Sequence, residues 1–244
     1  MLCPAPLLVN GPTRYGTKGT LCTFYIYHPS ATIEIEPSPP ILPSPSSSQT
    51  AHILNSTFVE NSARVQGGGI YSQQSTLTVT GSSFRLNNAK AQGGALQANG
   101  CAGGLYVSDC SFDSNRAGGS GGAVFLGSCN ASFETTALMS NSAGEGGALS
   151  TALDVADSDK PGHFKIILND CLASNNSAYS SLGGCVRSKG VNLTLQGGAW
   201  VDNTAASGGG ALACSGGCGV EVQGVKQMRA NRALLGPGGV VSGG

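Results

Sequence analysis

Asp109 and Asp170 each stand six residues before an asparagine, Asn115 and Asn176, in phrases of the same shape. Asp113 and Arg116 flank the first of these asparagines. Carboxylates held a fixed distance apart can cleave glycosidic bonds, one as acid and the other as base or nucleophile. A second acidic group, Asp154, Asp157 and Asp159, lies in "LDVADSDKPGH" (153–163). Several carboxylate oxygens so close together suit a hard cation such as Ca2+, although the spacing matches no EF-hand loop. The plainer reading of both groups is surface turn residues and a solvated loop. His28, His52 and His163 are too widely spaced to form a metal or catalytic set. "GGSGG" (118–122) is glycine-rich but opens no helix, so it is no phosphate cradle. No Gly-x-Ser-x-Gly elbow occurs.

What must position these residues is a repeat. The phrases "QGGGIY", "QGGALQ", "SGGAVF", "EGGALS", "LGGCVR", "GGGALA" and "PGGVVS" share one form. Their second glycines are read as Gly69, Gly94, Gly122, Gly147, Gly184, Gly210 and Gly239. Before each comes a phrase ending in Asn-x-Ala, with asparagines Asn61, Asn87, Asn115, Asn141, Asn176, Asn203 and Asn231. Successive gaps are 26, 28, 26, 35, 27 and 28 residues. The long gap marks 153–163 as an insertion, and solenoid insertions form loops on one face, often the binding face.

Short alternating stretches such as "TLTVTG" (76–81), "GLYVSD" (104–109) and "VNLTLQG" (191–197) read as strands. About three short strands per repeat of ~27 residues, with Gly, Asn and Ser turns, predict an all-β solenoid: a right-handed parallel β-helix of about seven rungs. Rungs stack about 4.8 Å apart. Asp109 and Asp170 then lie two rungs, about 9.6 Å, apart, with Thr135 between them. The asparagines predict a ladder of amides bonded from rung to rung at a turn. Cys101 and Cys129 each fall seven residues after their second glycine in adjacent rungs, within disulfide reach. Cys214 and Cys218 can close a small turn. Cys110 and Cys171 share a column two rungs apart, too far to bond.

The "GGALQ", "GGAVF", "GGALS" and "GGALA" phrases, with "FVEN", "FRLN" and "FDSN", resemble the repeat of the polymorphic outer membrane proteins of chlamydiae. More broadly they resemble the pectin-lyase-like superfamily. Later repeats replace Phe with Leu138, Ala173, Trp200 and Met228. The resemblance covers about residues 53–241. It implies a surface-exposed, often adhesive passenger followed by a membrane barrel, yet no run of barrel-like strands follows in this chain. The wider superfamily includes enzymes that act on acidic polysaccharides, but their Asn-Thr-Asp, Asp-Asp and Gly-His-Gly motifs are absent here.

Three segments are expected. Residues 1–36 form an irregular segment or partial cap. Residues 37–50, largely the Pro/Ser-rich "IEPSPPILPSPSSSQ" (35–49), form a linker or loop. Residues 51–244 form the β-helix, whose stop at "GGVVSGG" reads as a truncation. Charged residues are only 11%, the formal net charge is zero, and Lys and Arg are scattered, so nucleic acid is not an expected partner. No apolar run is long enough for a transmembrane helix, and "MLCPAPLLVNGPTRYG" is a poor signal peptide. Nine cysteines suit an oxidising compartment and leave at least one thiol unpaired. Asn55, Asn130, Asn175 and Asn192 are Asn-x-Ser/Thr acceptors, relevant to a glycoprotein of a eukaryotic secretory pathway. The expectation is a non-enzymatic extracellular or cell-surface module with a structural or adhesive role. It needs no cofactor, and a polysaccharide or cell-surface protein is its partner. The alternative is a lyase, hydrolase or epimerase relative that uses Asp109, Asp113 and Asp170 on acidic glycans.

Overall fold

The computed structural model describes residues 13–15, 23–26, 32–36, 49–101, 103–154, 157–159, 161–236, 238 and 241–243. For 13–36, 49 and 241–243 the description is of the backbone. Cys3, Cys22, His28, Gly239 and residues 37–48 of the Pro/Ser tract lie outside it, as do Val155, Ala156 and Lys160 of the insertion.

From residue 49 onward the chain is a parallel β-helix of seven rungs, each contributing one strand to each of four sheets. The first rung is Gln49–Leu54, Thr57–Val59, Ser62–Ala63 and Ile70–Gln73, and the last ends in Val241–Gly243. Four strands per rung replace the three expected. The extra one is the two-residue Asn-x-Ala step, such as Asn88–Ala89, which pairs in register with Ser62–Ala63 and Arg116–Ala117. Two residues are too few to show alternation, so the sequence read this step as a turn. Upstream, Thr23–Ile26 pairs antiparallel with Ile70–Gln73, and Thr32–Glu36 antiparallel with Gln49–Leu54. No helix among the described residues is long and apolar enough to cross a membrane.

Alternation fills the interior. In the first strands Leu77 stacks on Leu105 and Val79 on Val107, all buried, while Thr78 and Tyr106 face outward. In the second strands Phe58, Phe84 and Phe112 form a stack with centroids 4.7 and 4.6 Å apart. The column continues through Leu138, Ala173 and Trp200, so the small Ala173 lies between two larger side chains at near-constant core volume. Each third strand turns an alanine inward, from Ala63 to Ala205, where the rod is narrow.

Two corners flank the third strand of each rung. The residue before each ladder asparagine has φ between 55° and 58°, yet none is glycine: Glu60, Leu86, Ser114, Ser140, Asn175, Asp202 and Ala230. A left-handed conformation costs an L-residue about 1–2 kcal/mol. Ala230→Gly is therefore expected to stabilise the protein by about 0.5–1 kcal/mol, after the greater chain entropy of glycine is subtracted. A lower thermal midpoint would count against this strain.

At the Gly-Gly corner the two glycines do different jobs. The first takes positive φ in every rung, from Gly67 to Gly238. The second has no room for a side chain: a Cβ on Gly94 would meet the Gly122 carbonyl, and one on Gly122 the Gly147 carbonyl. The register corrects one assignment. Gly68, not Gly69, is the counterpart of Gly94, because the Gly68 N–H donates to Gly93 O (3.1 Å) and the Gly69 N–H to Ala95 O (2.8 Å). Gly69 stands where later rungs have Ala95 and Ala123.

Candidate functional site

The corner after each first strand holds Asn55, Gly81, Asp109, Thr135, Asp170, Gly197 and Gly224, all with positive φ. From Asn55 to Gly197 each corner N–H bonds to the next rung, Asp109 N to Glu134 O (3.1 Å) and Asp170 N to Gln196 O (2.7 Å). Asp109 and Asp170 thus share a corner with the Thr135 rung between them. Asp113 lies on the neighbouring sheet, in register with Arg85 and Met139. Its Oδ2 is 3.9 Å from Arg85 Nε, and its Oδ1 accepts from Ser114 Oγ (2.9 Å).

Asp170 uses the space left by Gly197 to reach two rungs along. Its Oδ1 accepts from Lys226 Nζ (3.1 Å) and from the Gly198 N–H (3.2 Å). The Lys226 ammonium, then the Gly198 N–H, hold its carboxyl below the usual range. A general acid in glycoside cleavage needs the opposite shift. The arrangement joins rungs 5 and 7.

In the insertion, the Asp154 N–H donates to Ser128 Oγ (2.8 Å) and the Asp157 N–H to Asp154 O (2.9 Å). Partial burial, then the Asp157 charge, push the Asp154 carboxyl up. Among the described residues, no group of three or more His, Cys, Asp or Glu side chains is placed to hold a metal ion. His163 sits edge-on to Phe164, with centroids 5.4 Å apart, and His52 pairs in register with Thr78.

The asparagine column runs through the rod as a one-way chain. Asn87 Nδ2 donates to Asn115 Oδ1 (3.0 Å), Asn115 Nδ2 to Asn141 Oδ1 (3.0 Å) and Asn141 Nδ2 to Asn176 Oδ1 (3.1 Å). The chain extends from Asn61 at one end to Asn203 and Asn231 at the other. Each acceptor oxygen also takes the previous asparagine's backbone N–H, as Asn115 Oδ1 takes Asn87 N (2.9 Å). The second amide hydrogen goes to a backbone carbonyl of the Phe column, as from Asn115 to Phe84 O (2.9 Å). These buried amides are saturated, which burial requires.

Cys101 and Cys129 are bridged across adjacent rungs, with Cα atoms 4.9 Å apart, and Cys214 is bridged to Cys218. Cys110, Cys171 and Cys185 are buried free thiols. Burial pushes the Cys171 thiol up to about 11, and Cys110 and Cys185 also upward. These groups favour the folded state below the ordinary thiol pKa near 9. For Cys171 that stability is lost as pH rises through about 11, because unfolding then releases protons. Denaturant midpoints should be flat up to about pH 8.5 and fall towards pH 11. At pH 8 iodoacetamide should leave all three thiols unlabelled until urea is added. Rapid labelling of native Cys185 would contradict this placement.

Several contacts had no sequence signal. Tyr179 Oη donates to Gly118 O (2.8 Å), two rungs back, across positions without side chains at Gly118 and Gly144. Arg187 is buried in the fourth strand, with Nη2 on Ser215 Oγ (2.8 Å) and Nε 3.8 Å from Glu145 Oε2. An arginine in "GGCVR", where other repeats have Tyr71, Gln97 or Phe125, was its only mark. Of the Asn-x-Ser/Thr acceptors, Asn55, Asn130 and Asn175 are exposed. Asn192 is tied on both sides, from Nδ2 to Gly162 O (3.0 Å) and from the Gly219 N–H to Oδ1 (2.6 Å).

Comparison with known proteins gives a family match. The Chlamydia polymorphic membrane protein repeat matches residues 55–73 and 109–127. Both segments run from the corner after the first strand to the end of the fourth strand, in rungs 1 and 3. No curated protein and no solved structure gives a significant match. Two rungs thus match the polymorphic membrane protein repeat, and the rungs that repeat their register are wound with them into one parallel β-helix.

Proposed function

We propose that this chain is a surface-exposed β-helical module with a structural and adhesive role, displayed outside the cell and acting without catalysis. The observation that carries this reading is the repeat, matched to a membrane protein family in two rungs and wound into seven rungs, a rod about 34 Å long. Two disulfides suit an oxidising exterior. The outward positions of the first strands carry hydroxyls and amides such as Thr78, Thr80, Ser108 and Asn169. These are groups that meet a glycan or a polar protein surface.

Two measurements test this. Protease applied to intact source cells should cleave the chain, and beads coated with the purified chain should be retained on polysaccharide or cell surfaces. Cleavage only after lysis would remove the surface location. Beads that wash off every such surface would remove the adhesive role.

A further inference from the structure

The insertion returns to the rod beside the first strands of rungs 5 to 7, and there the surface is hollow. A cavity of about 280 Å³ is lined by Lys165, Asn192, Thr194, Gly219 and Glu221, and Leu193 and Val220 complete its wall. In register, Asn192 stacks on Lys165, Val220 on Leu193 and Glu221 on Thr194. Lys165 and Asn192 therefore follow one column, and Gly219 comes next in it. Thr194 and Glu221 follow the adjacent outward column.

The hollow has a structural cause. Gly219 has no side chain where Lys165 and Asn192 have long ones, and its N–H is fixed to Asn192 Oδ1 at 2.6 Å. Asn192 in turn holds the insertion beside it through Gly162 O at 3.0 Å. The Glu221 carboxylate accepts Thr194 Oγ1 (3.3 Å) and Gln223 Nε2 (2.6 Å). A carboxylate has about four lone-pair sites, so about two remain. Lys165 is exposed, and its ammonium has no hydrogen-bond or ion-pair partner among the described residues.

The lining thus offers three free donor hydrogens on Lys165 and free acceptor sites on Glu221, with opposite charges on one small cavity. An anionic ligand would meet Glu221 and a cationic one Lys165. A neutral ligand with hydroxyls that both donate and accept satisfies both groups. We propose that this cavity binds one sugar unit of a neutral polysaccharide, with vicinal hydroxyls donating to Glu221 and another accepting from Lys165. Its volume lies just below the ordinary range for small-molecule sites, which suits a single ring of a longer chain. The inference deepens the adhesive reading by naming a partner class and the place where it binds.

Saturation-transfer NMR on the whole chain tests it, with methyl glycosides of glucose, galactose, mannose and N-acetylglucosamine as probes. Glucuronate and glycine are run beside them. Saturation should reach at least one neutral glycoside. Affinity should fall roughly tenfold or more in Glu221→Gln and in Lys165→Ala, the equivalent of about 1.4 kcal/mol. Lys90→Ala, on a distant loop, should leave it unchanged. Both cavity residues are exposed, so thermal midpoints should hold and a loss of binding is not a loss of fold. No transfer to any neutral glycoside, equal transfer in the two variants, or preference for glucuronate or glycine overturns the proposal. Beads coated with Glu221→Gln that still adhere would leave the adhesive reading standing and remove only this cavity from it.

Discussion

Asn115→Ala is expected to remove about 3–9 kcal/mol of unfolding free energy. The side chain is fully buried. Its loss strands the Asn87 backbone N–H, one Asn87 amide hydrogen and the Phe84 carbonyl, each with no water to replace the partner. Asn141 Oδ1 fares better, because it keeps the Asn115 backbone N–H at 3.0 Å. Three orphaned buried groups at roughly 1–3 kcal/mol each give the range, which rivals the whole stability of an ordinary domain. Asn115→Asp should be at least as harmful. It keeps the acceptor but turns an oxygen towards Phe84 O and Asn141 Oδ1, and it buries a charge. Asn88→Ala, outward on the third strand of the preceding rung and in register with Arg116, should stay within about 0.5 kcal/mol. Urea denaturation followed by circular dichroism separates these cases. A cost for Asn115→Ala no larger than for Asn88→Ala would mean that the ladder is decoration on a rod held by its core.

The second large effect separates two neighbouring glycines. Gly68→Ala should be severely destabilising, on the order of 5 kcal/mol or enough to prevent the first rung from docking. Its Cβ would meet the Gly94 carbonyl and the backbone of Asn88. Gly122→Ala should do the same in mid-rod, where the new atom meets Gly147 O and both backbone polar atoms of Ser142. Gly69→Ala should be neutral or stabilising by about 0.5–1 kcal/mol, since glycine is the more flexible residue when unfolded. Its Cβ would meet Ala95 O at 3.1 Å and the Phe58 ring at 3.5 Å, a fit that needs little adjustment. Gly224→Ala is the control for φ alone: at +57° with nothing within 4 Å, it should cost about 1 kcal/mol. If Gly69→Ala proved as harmful as Gly68→Ala, the register of the first rung would be wrong by one residue.

Much of this architecture is written in the chain's periodicity. Asparagines at near-constant spacing, each ahead of a Gly-Gly pair, name the residues that stack one rung apart. That is enough for the parallel β-helix, for the columns that hold Asp109 and Asp170, and for the meeting of Cys101 with Cys129. The resolution of such a pattern stops at about one residue and one rung. "QGGGIY" offers three glycines for two places, and only the backbone bonds of Gly68 and Gly69 choose between them. The Asn-x-Ala strand is too short for a period-two signal. Only its in-register pairing across seven rungs makes it a sheet.

What sequence alone determined is the interior, because burial forces apolar and small residues into every rung and leaves a visible period. What only the tertiary structure decided is the outside. There no packing constraint disciplines the residue types, and long side chains reach past their nearest neighbours. Lys226 meets Asp170 from 56 positions away, and Tyr179 crosses two rungs to Gly118. The insertion closes on Asn192, which lines a cavity opened by the missing side chain of Gly219. A period describes stacking between adjacent rungs, and these contacts depend on reach, empty space and charge, which become fixed only when the rod is wound.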